Sequence, residues 1–109
     1  MTQTYAIGVD YGTESARSVL VDLSTGEIVA STVKNYVHGV ITDKLPESDV
    51  TLERDWALQH PKDYVDAFIE TVSNILKDTQ TWLSSNQIIG IGIDFTSCTM
   101  LPVTADGTP

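Results

Sequence analysis

A long amphipathic segment separates two apolar runs in this 109-residue chain, and that order is compatible with few folds. From Pro61 onward, apolar side chains recur at steps of three and four residues, which predicts a helix of about five turns. The apolar positions are Tyr64, Val65, Phe68, Ile69, Val72, Ile75 and Leu76. Residues 5–9 before the helix and 88–95 after it are rich in β-branched residues, as strands are. A strand, a helix and a strand in this order predict a right-handed crossover between parallel strands.

Two more strands are predicted between the first strand and the helix. Residues 18–23 are apolar and follow a short turn, and the segment that begins at Ile28 alternates with the two-residue period of a strand. The short connections predict an antiparallel meander of three strands. Residues 88–95 are apolar almost throughout, which predicts a strand buried on both faces and placed beside the first. Residues 38–56 are predicted to be a surface loop, and residues 100–104 to begin another hairpin.

Charge and composition exclude several classes of protein. The chain has 6 basic and 15 acidic residues, and its net charge of −9 repels nucleic acids and anionic membranes. We therefore expect no nucleic-acid partner and no membrane partner. The single cysteine, Cys98, excludes an internal disulfide and a thiolate zinc cluster, and it fits a cytoplasmic setting. No signal peptide and no membrane-spanning run is recognisable, so a single soluble domain is predicted.

The two parallel strands end in similar segments, AIGVDYGTES and IGIGIDFTSC. Each is a glycine-interrupted apolar run followed by Asp, an aromatic residue and small hydroxyl residues. Ligands of open α/β sheets bind at the carboxyl ends of parallel strands. Asp10 and Asp94 are therefore predicted to lie side by side at such an edge.

The segment after Asp10 predicts a phosphate cradle. Gly12 lets the backbone approach an anion, Thr13 and Ser15 offer hydroxyl and amide donors, and Arg17 carries a permanent positive charge. Asp10 would repel a bare phosphate, but it suits a magnesium ion held between a carboxylate and phosphate oxygens. The alternative is that Asp10 stabilises a tight turn and that Thr13 and Ser15 are ordinary loop residues.

DYGTESAR, residues 10–17, resembles the first phosphate segment of the FGGY carbohydrate kinases. Three later segments, YVHGV, WALQHPKDYV and IGIGIDFTSCTMLPV, resemble in the same order the members of that family that phosphorylate L-ribulose. The resemblance spans residues 5–109. It implies a ribonuclease H-like (actin-like ATPase) α/β fold with a mixed sheet of three antiparallel strands, a crossover helix and a parallel fourth strand. This unit would be the incomplete first lobe of a two-lobe kinase.

The resemblance implies ATP and Mg²⁺ as cofactors and phosphorylation of L-ribulose to L-ribulose 5-phosphate in arabinose catabolism. Asp10 would orient the magnesium ion through water, and Gly12 and Thr13 would contact the phosphates. Arg17 matches a family arginine near the same phosphates. Glu14 departs from the hydroxyl residue of relatives, which puts a phosphate contact by its side chain in doubt.

The sugar contacts implied by the resemblance lie in the segment after the second parallel strand, here Thr96, Ser97 and Cys98. The remaining machinery would lie downstream: the catalytic aspartate, a further phosphate segment, the adenine pocket and the second lobe. Residues 1–109 would thus be the amino-terminal part of lobe I. No catalytic base is assigned within them, and this piece alone is predicted to be inactive. The full-length protein could form a homodimer.

Other functions stay open on the sequence alone. The substrate could be another pentulose or a polyol. Two carboxylates on adjacent strands of such a sheet can also hold two metals in a nuclease, although the acidic chain lacks a basic surface for nucleic acid. A non-enzymatic actin-like nucleotide-binding module is the third alternative. Asp94 could line the metal or sugar site or cap its strand. His60 and Cys98 are interpreted mainly as structural residues. His38 lies in a loop that resembles the family, or it is simply a solvated histidine.

Overall fold

The computed structural model describes residues 2–97 and 99–109. Cys98, one of the predicted sugar contacts, lies outside the described residues. Along the chain the strands and the helix are β1 (Tyr5–Tyr11), β2 (Ser15–Asp22), β3 (Ile28–Asn35), β4 (Val40–Ile41), β5 (Leu58–Gln59), α1 (Pro61–Thr79) and β6 (Ile88–Asp94), with a single 3-10 turn, Ser85–Gln87, before β6. No helix in the described ranges is long and apolar enough to cross a bilayer.

The main sheet has four strands in the order β3-β2-β1-β6. β1, β2 and β3 form the predicted antiparallel meander, and β6 lies parallel to β1 after the crossover through α1. The predicted mixed α/β sheet is therefore confirmed. The ladder between β1 and β2 extends further than predicted, because Asp10 pairs with Arg17 and Tyr11 pairs with Ala16. Asp10 is thus part of a strand, and only residues 12–14 form the connection.

The core lies between α1 and one face of the sheet. Alternate residues of β1, which are Tyr5, Ile7, Val9 and Tyr11, face the helix together with Ala16 and Leu20 of β2. The helix rests on them through a stripe of residues spaced by four: Asp63, Ala67, Thr71, Ile75 and Thr79. Ala67 and Thr71 are small, so the helix approaches closely enough for the Thr71 hydroxyl to lie 2.6 Å from the Ser18 hydroxyl.

The sequence prediction for the inner side of α1 is partly wrong. Val65, Ile69 and Leu76 were assigned to the buried side, but they are exposed, Ile69 at 57%. The helix contacts a single sheet, so only a narrow stripe is covered. Its central positions are occupied by the small residues Ala67 and Thr71, which hydrophobicity alone does not select.

β6 is not buried on both faces, contrary to prediction. Ile89, Ile91 and Ile93 are all exposed, Ile91 at 50%. β6 is an edge strand in the described sheet, and α1 packs mainly on β2 and β3 rather than on β6. An apolar composition shows that the side chains of a strand can be buried, but they are buried only where another element covers them.

The segments on either side of the helix also differ from prediction. The predicted loop is held at its ends by a short antiparallel pair in which Val40 faces Gln59 and Ile41 faces Leu58. After β6, no strand is present among the described residues, so the predicted hairpin strand at residues 100–104 is not observed. A turn does form there, closed by the Thr104 amide, which donates to the Thr108 carbonyl at 2.7 Å.

Asp22, the last residue of β2, makes the fold sensitive to acid. Its carboxylate accepts hydrogen bonds from the Ser24 hydroxyl at 2.7 Å, the Ser24 amide at 2.8 Å and the Gln3 side chain. The bonds from Ser24 above all hold the pKa of Asp22 below its ordinary value. A lowered folded-state pKa stabilises the fold above the unfolded-state pKa of about 3.9, and this contribution is lost as the pH falls through the folded-state value.

We therefore expect the free energy of unfolding to decrease below about pH 4, and to decrease less in the Asp22→Asn variant. Urea unfolding of the chain between pH 2.5 and pH 6 measures both curves. Asp49→Asn is the matched control, because Asp49 is a fully exposed loop residue. Parallel curves for Asp22→Asn and the unmodified chain would contradict this assignment.

Candidate functional site

Three charged side chains lie in one row across the sheet. Asp94 of β6 pairs with Asp10 of β1, which pairs with Arg17 of β2. All three are exposed. Side chains alternate along a strand, so this row faces away from α1, whereas its neighbour Val9 faces the core. The two carboxylates predicted to lie side by side at the ends of parallel strands do so.

Two glycines lie next to this row on the same face of the sheet. Gly8 pairs with Gly92 one step back along the same face, and Val19 follows on β2. Nothing lies within 4 Å of a Cβ placed on Gly92. The resulting open cavity has a volume of about 460 Å³, and Asp10, Asp94 and Arg17 line it. We call it the sheet-face cavity.

The carbonyl groups of the residues that connect β1 to β2, and of the first residue of β2, all accept hydrogen bonds from the protein. We call residues 12–15 the β1–β2 turn. Its four carbonyls accept as follows: Gly12 from the Tyr36 hydroxyl at 2.7 Å, Thr13 from Nε2 of Gln59 at 2.6 Å, Glu14 from the Tyr36 amide at 3.0 Å, and Ser15 from the Gly12 amide at 2.8 Å. The carbonyl oxygens are thus directed toward the protein.

The amides of the turn are used differently. The Gly12 amide closes the turn on Ser15, and a Cβ on Gly12 would lie only 3.1 Å from the Ser15 carbonyl oxygen, so glycine is required for the close approach. The amides of Thr13 and Glu14 donate to no acceptor within the described ranges. Backbone amides that are free at a tight turn are suitable donors for an anion.

The side chain of Glu14 is directed to a neighbouring loop. Gly39 has a φ of 63°, in the left-handed region that favours glycine, and a Cβ there would lie 3.1 Å from Oε2 of Glu14. The Glu14 carboxylate therefore lies over Gly39 of the YVHGV segment. Glu14 can therefore donate to an anion through its backbone amide rather than through its side chain.

A second cavity, of about 720 Å³, lies next to the β1–β2 turn. Thr13 lines it together with Thr96 and Ser97, which follow β6, and the rest of its wall is largely apolar. We call it the apolar cavity. Its wall includes Val40, Leu45, Ala57, Leu58, Gln59, Pro61, Met100 and Leu101. Thr13 from the predicted phosphate set thus meets two residues of the predicted sugar set in one place.

The predicted site residues are therefore divided between two neighbouring places. Asp10 and Arg17 lie in the sheet-face cavity, and Thr13, Thr96 and Ser97 lie in the apolar cavity. Gly12 and Ser15 line neither cavity. Ser15, predicted as a loop donor, is the half-buried first residue of β2.

Sequence reasoning missed the residues that hold this region together. Tyr36 and Gln59 lie in the YVHGV and WALQHPKDYV segments, but no local pattern indicated that they contact the turn. Asp63, on the buried stripe of α1, accepts from the His38 amide at 3.0 Å and lies 2.7 Å from its Nδ1. His60 caps α1 by accepting from the Lys62 amide. His60 thus has the structural role predicted for it, whereas the contact of His38 with Asp63 was not predicted.

The acidic residues available to a metal ion are few. No group of three or more potential metal-ligating side chains occurs in the parts of the chain that the structure describes. The pair of Asp10 and Asp94 could still contribute two carboxylates to a metal ion. Magnesium is commonly held by one or two carboxylates together with water and substrate phosphates. The donor set therefore fits a magnesium ion that arrives with a phosphate, and it is too small for a metal bound by the protein alone.

The sequence is similar to ribulokinases along its whole length. It is 50% identical over 109 residues to the ribulokinase of Halalkalibacterium halodurans and 54% identical to that of Geobacillus thermodenitrificans. Each alignment covers 100% of this chain and 19% of the relative. The whole chain thus resembles ribulokinases. It spans about a fifth of the length of these curated relatives, and no family model matches it.

A solved structure agrees with this similarity. The crystal structure of gluconate kinase from Lactobacillus acidophilus superimposes on 97% of this chain with a TM-score of 0.71 and 26% sequence identity, and the match covers 18% of that kinase. The gluconate kinase thus shares the sheet and crossover helix of this chain. The resemblance to carbohydrate kinases drawn from the sequence is confirmed.

Proposed function

We propose that residues 1–109 form the amino-terminal part of the first lobe of an ATP-dependent kinase that phosphorylates L-ribulose to L-ribulose 5-phosphate in arabinose catabolism. The observation that carries the proposal is the pairing of Asp10 with Asp94 beside a turn that leaves two backbone amides free. The sequence identity of 50% to a ribulokinase supports the substrate. We place the protein in the cytoplasm and expect the complete polypeptide to be able to form a homodimer.

In this proposal Asp10 holds magnesium-bound water, and Asp94 lies beside it. The ion would neutralise phosphate charge and orient the triphosphate of ATP. The amides of Thr13 and Glu14 and the Thr13 hydroxyl donate to phosphate oxygens. Arg17 adds a positive charge next to Asp10, and Gly12 keeps the turn narrow.

The sugar side of the site is assigned to the apolar cavity. Thr96 and Ser97 line it together with Thr13, so a sugar held there would lie next to the turn proposed to bind the phosphates. Short side chains leave space for a pentulose. We propose Cys98 as the third residue of this segment from the family resemblance alone. The base that accepts the hydroxyl proton is proposed to lie beyond Pro109.

The experiment is a substrate panel on the purified complete polypeptide that contains this chain. ADP release with MgATP is measured for L-ribulose, other pentuloses, gluconate and polyols. We expect the highest kcat/KM with L-ribulose, and no sugar-dependent ADP release from residues 1–109 alone. A preference for another sugar would revise the substrate but keep the chemistry.

Two further outcomes would replace the proposal. Metal-dependent cleavage of a nucleic acid without ADP release would favour the two-metal nuclease, for which Asp10 and Asp94 would serve as ligands. Tight ATP binding without turnover on any sugar would favour the non-enzymatic nucleotide-binding module. The net charge of −9 makes the nuclease the less favoured of the two.

A further inference from the structure

Three tyrosines meet behind the β1–β2 turn. Tyr36 and Tyr11 each contact Tyr64 of α1 edge to face, with ring centroids 5.4 Å and 5.5 Å apart. The Tyr11 hydroxyl donates to the Tyr64 carbonyl at 3.0 Å. This packing surrounds the buried ring of Tyr36 and so holds its hydroxyl in place.

Tyr36 contacts the turn at two points. Its hydroxyl donates to the Gly12 carbonyl at 2.7 Å, and its amide donates to the Glu14 carbonyl at 3.0 Å. The side chain is 8% exposed. Burial, followed by the proximity of Tyr64 and Tyr11, raises the pKa of the Tyr36 phenol, so the hydroxyl keeps its proton at any physiological pH. A protonated hydroxyl next to a carbonyl oxygen acts as a permanent donor.

Gln59 contacts the turn from the other side. Its Nε2 donates to the Thr13 carbonyl at 2.6 Å, and its Oε1 accepts from the Tyr64 hydroxyl. Both ends of the side-chain amide are thus engaged, which determines its orientation. Gln59 immediately precedes His60, the residue that caps α1, so the turn is connected to the start of the helix.

We propose that Tyr36 and Gln59 are positioning residues for phosphate binding, which rests on the proposed function. Their donors hold the carbonyls of Gly12, Thr13 and Glu14 toward the protein. A peptide group has its N–H opposite to its C=O, so the amides of Thr13 and Glu14 face outward. The two side chains also keep partially negative carbonyl oxygens away from an incoming phosphate.

The first test measures amide exchange in the complete polypeptide. Hydrogen exchange followed by mass spectrometry is recorded on peptides that cover residues 12–15, for Tyr36→Phe, Gln59→Met and Tyr5→Phe. We expect exchange of the Gly12 amide, which is bonded to the Ser15 carbonyl, to accelerate about tenfold in the first two variants, because a turn that has lost one ordinary hydrogen bond opens more often. The free amides of Thr13 and Glu14 should exchange fast in every variant. Tyr5→Phe is the matched control. Tyr5 is a similarly buried tyrosine at the other end of β1, and its hydroxyl makes no hydrogen bond within the described ranges.

The second test separates positioning from general stability. We expect the KM for MgATP to rise about five- to tenfold in Tyr36→Phe and in Gln59→Met. The KM for the sugar should stay unchanged in Tyr36→Phe, because Tyr36 lines neither cavity, whereas Gln59 also lines the apolar cavity and its variant is compared through MgATP alone. Tyr5→Phe should change neither constant. An equal rise in both constants in Tyr36→Phe would indicate a structural role only and would overturn the proposal.

The remaining outcomes are decisive as well. Unchanged exchange in both Tyr36→Phe and Gln59→Met would overturn the proposal, as would faster exchange with an unchanged KM for MgATP. If one variant fails to fold, the other carries both measurements. If the unmodified polypeptide phosphorylates no sugar, the proposed function fails and the phosphate-binding role with it, whereas the exchange rates still show whether these side chains hold the turn.

Discussion

Replacing Asp10 by asparagine in the complete polypeptide is expected to lower kcat about 100-fold, the effect of removing a group that orients metal-bound water. Asp10 lies beside Asp94 at the edge of the sheet, so asparagine keeps the shape and removes one of two adjacent negative charges. Without that charge, magnesium and the phosphates it accompanies lose their orientation. Asp10 is exposed, so the free energy of unfolding should barely change.

The measurement is kcat at saturating sugar and MgATP, repeated at increasing magnesium concentration. Partial recovery at high magnesium would support a metal role. Asp49→Asn, a change of the same charge at a fully exposed loop position, should leave kcat unaffected. Undiminished turnover in Asp10→Asn would disprove the metal assignment and, with it, the assignment of the β1–β2 turn to phosphate.

Ile75→Ala is expected to lower the free energy of unfolding of the 109-residue chain by about 2–5 kcal/mol, whereas Ile69→Ala should cost less than about 1 kcal/mol. Both isoleucines lie on α1 and both were predicted to be buried, but Ile75 is 0% exposed and Ile69 is 57% exposed. The change in helix propensity is the same at both positions, so it cancels in the comparison.

Urea unfolding of the two variants and the unmodified chain, followed by circular dichroism, gives the three free energies. Because the substitution is identical, the difference between the variants reports the position of each residue relative to the sheet. Equal losses at the two positions would mean that α1 is rotated about its axis, so that Ile69 as well as Ile75 faces the sheet.

Much of the architecture could be predicted from local patterns. The alternation of β1 to β3, the three- and four-residue steps of α1 and the apolar run of β6 each depend on residues that are close in sequence. Handedness and connection rules then determine the order of the strands. That order places Asp10 beside Asp94, because equivalent ends of adjacent parallel strands meet at one edge. The paired carboxylates of the candidate site were therefore predictable.

Contacts between distant segments could not be predicted from the sequence. The residues that hold the β1–β2 turn, Tyr36 and Gln59, are 24 and 46 positions away from their partners, Gly12 and Thr13. No local period encodes such a contact, since it depends on how finished elements pack. The same holds for Ala67, whose small size matters only because it lies where the helix meets the sheet.

The chain's own sequence thus determined the strands of the main sheet, the helix, their order, the resemblance to ribulokinases and the carboxylate pair, because each follows from patterns along the backbone or from matched segments. Only the tertiary structure decided which stripe of α1 is covered, how the turn is held and how the site residues divide between two cavities. These features arise from the shapes of surfaces that come together when the chain folds, and their energies depend on all the partners at once.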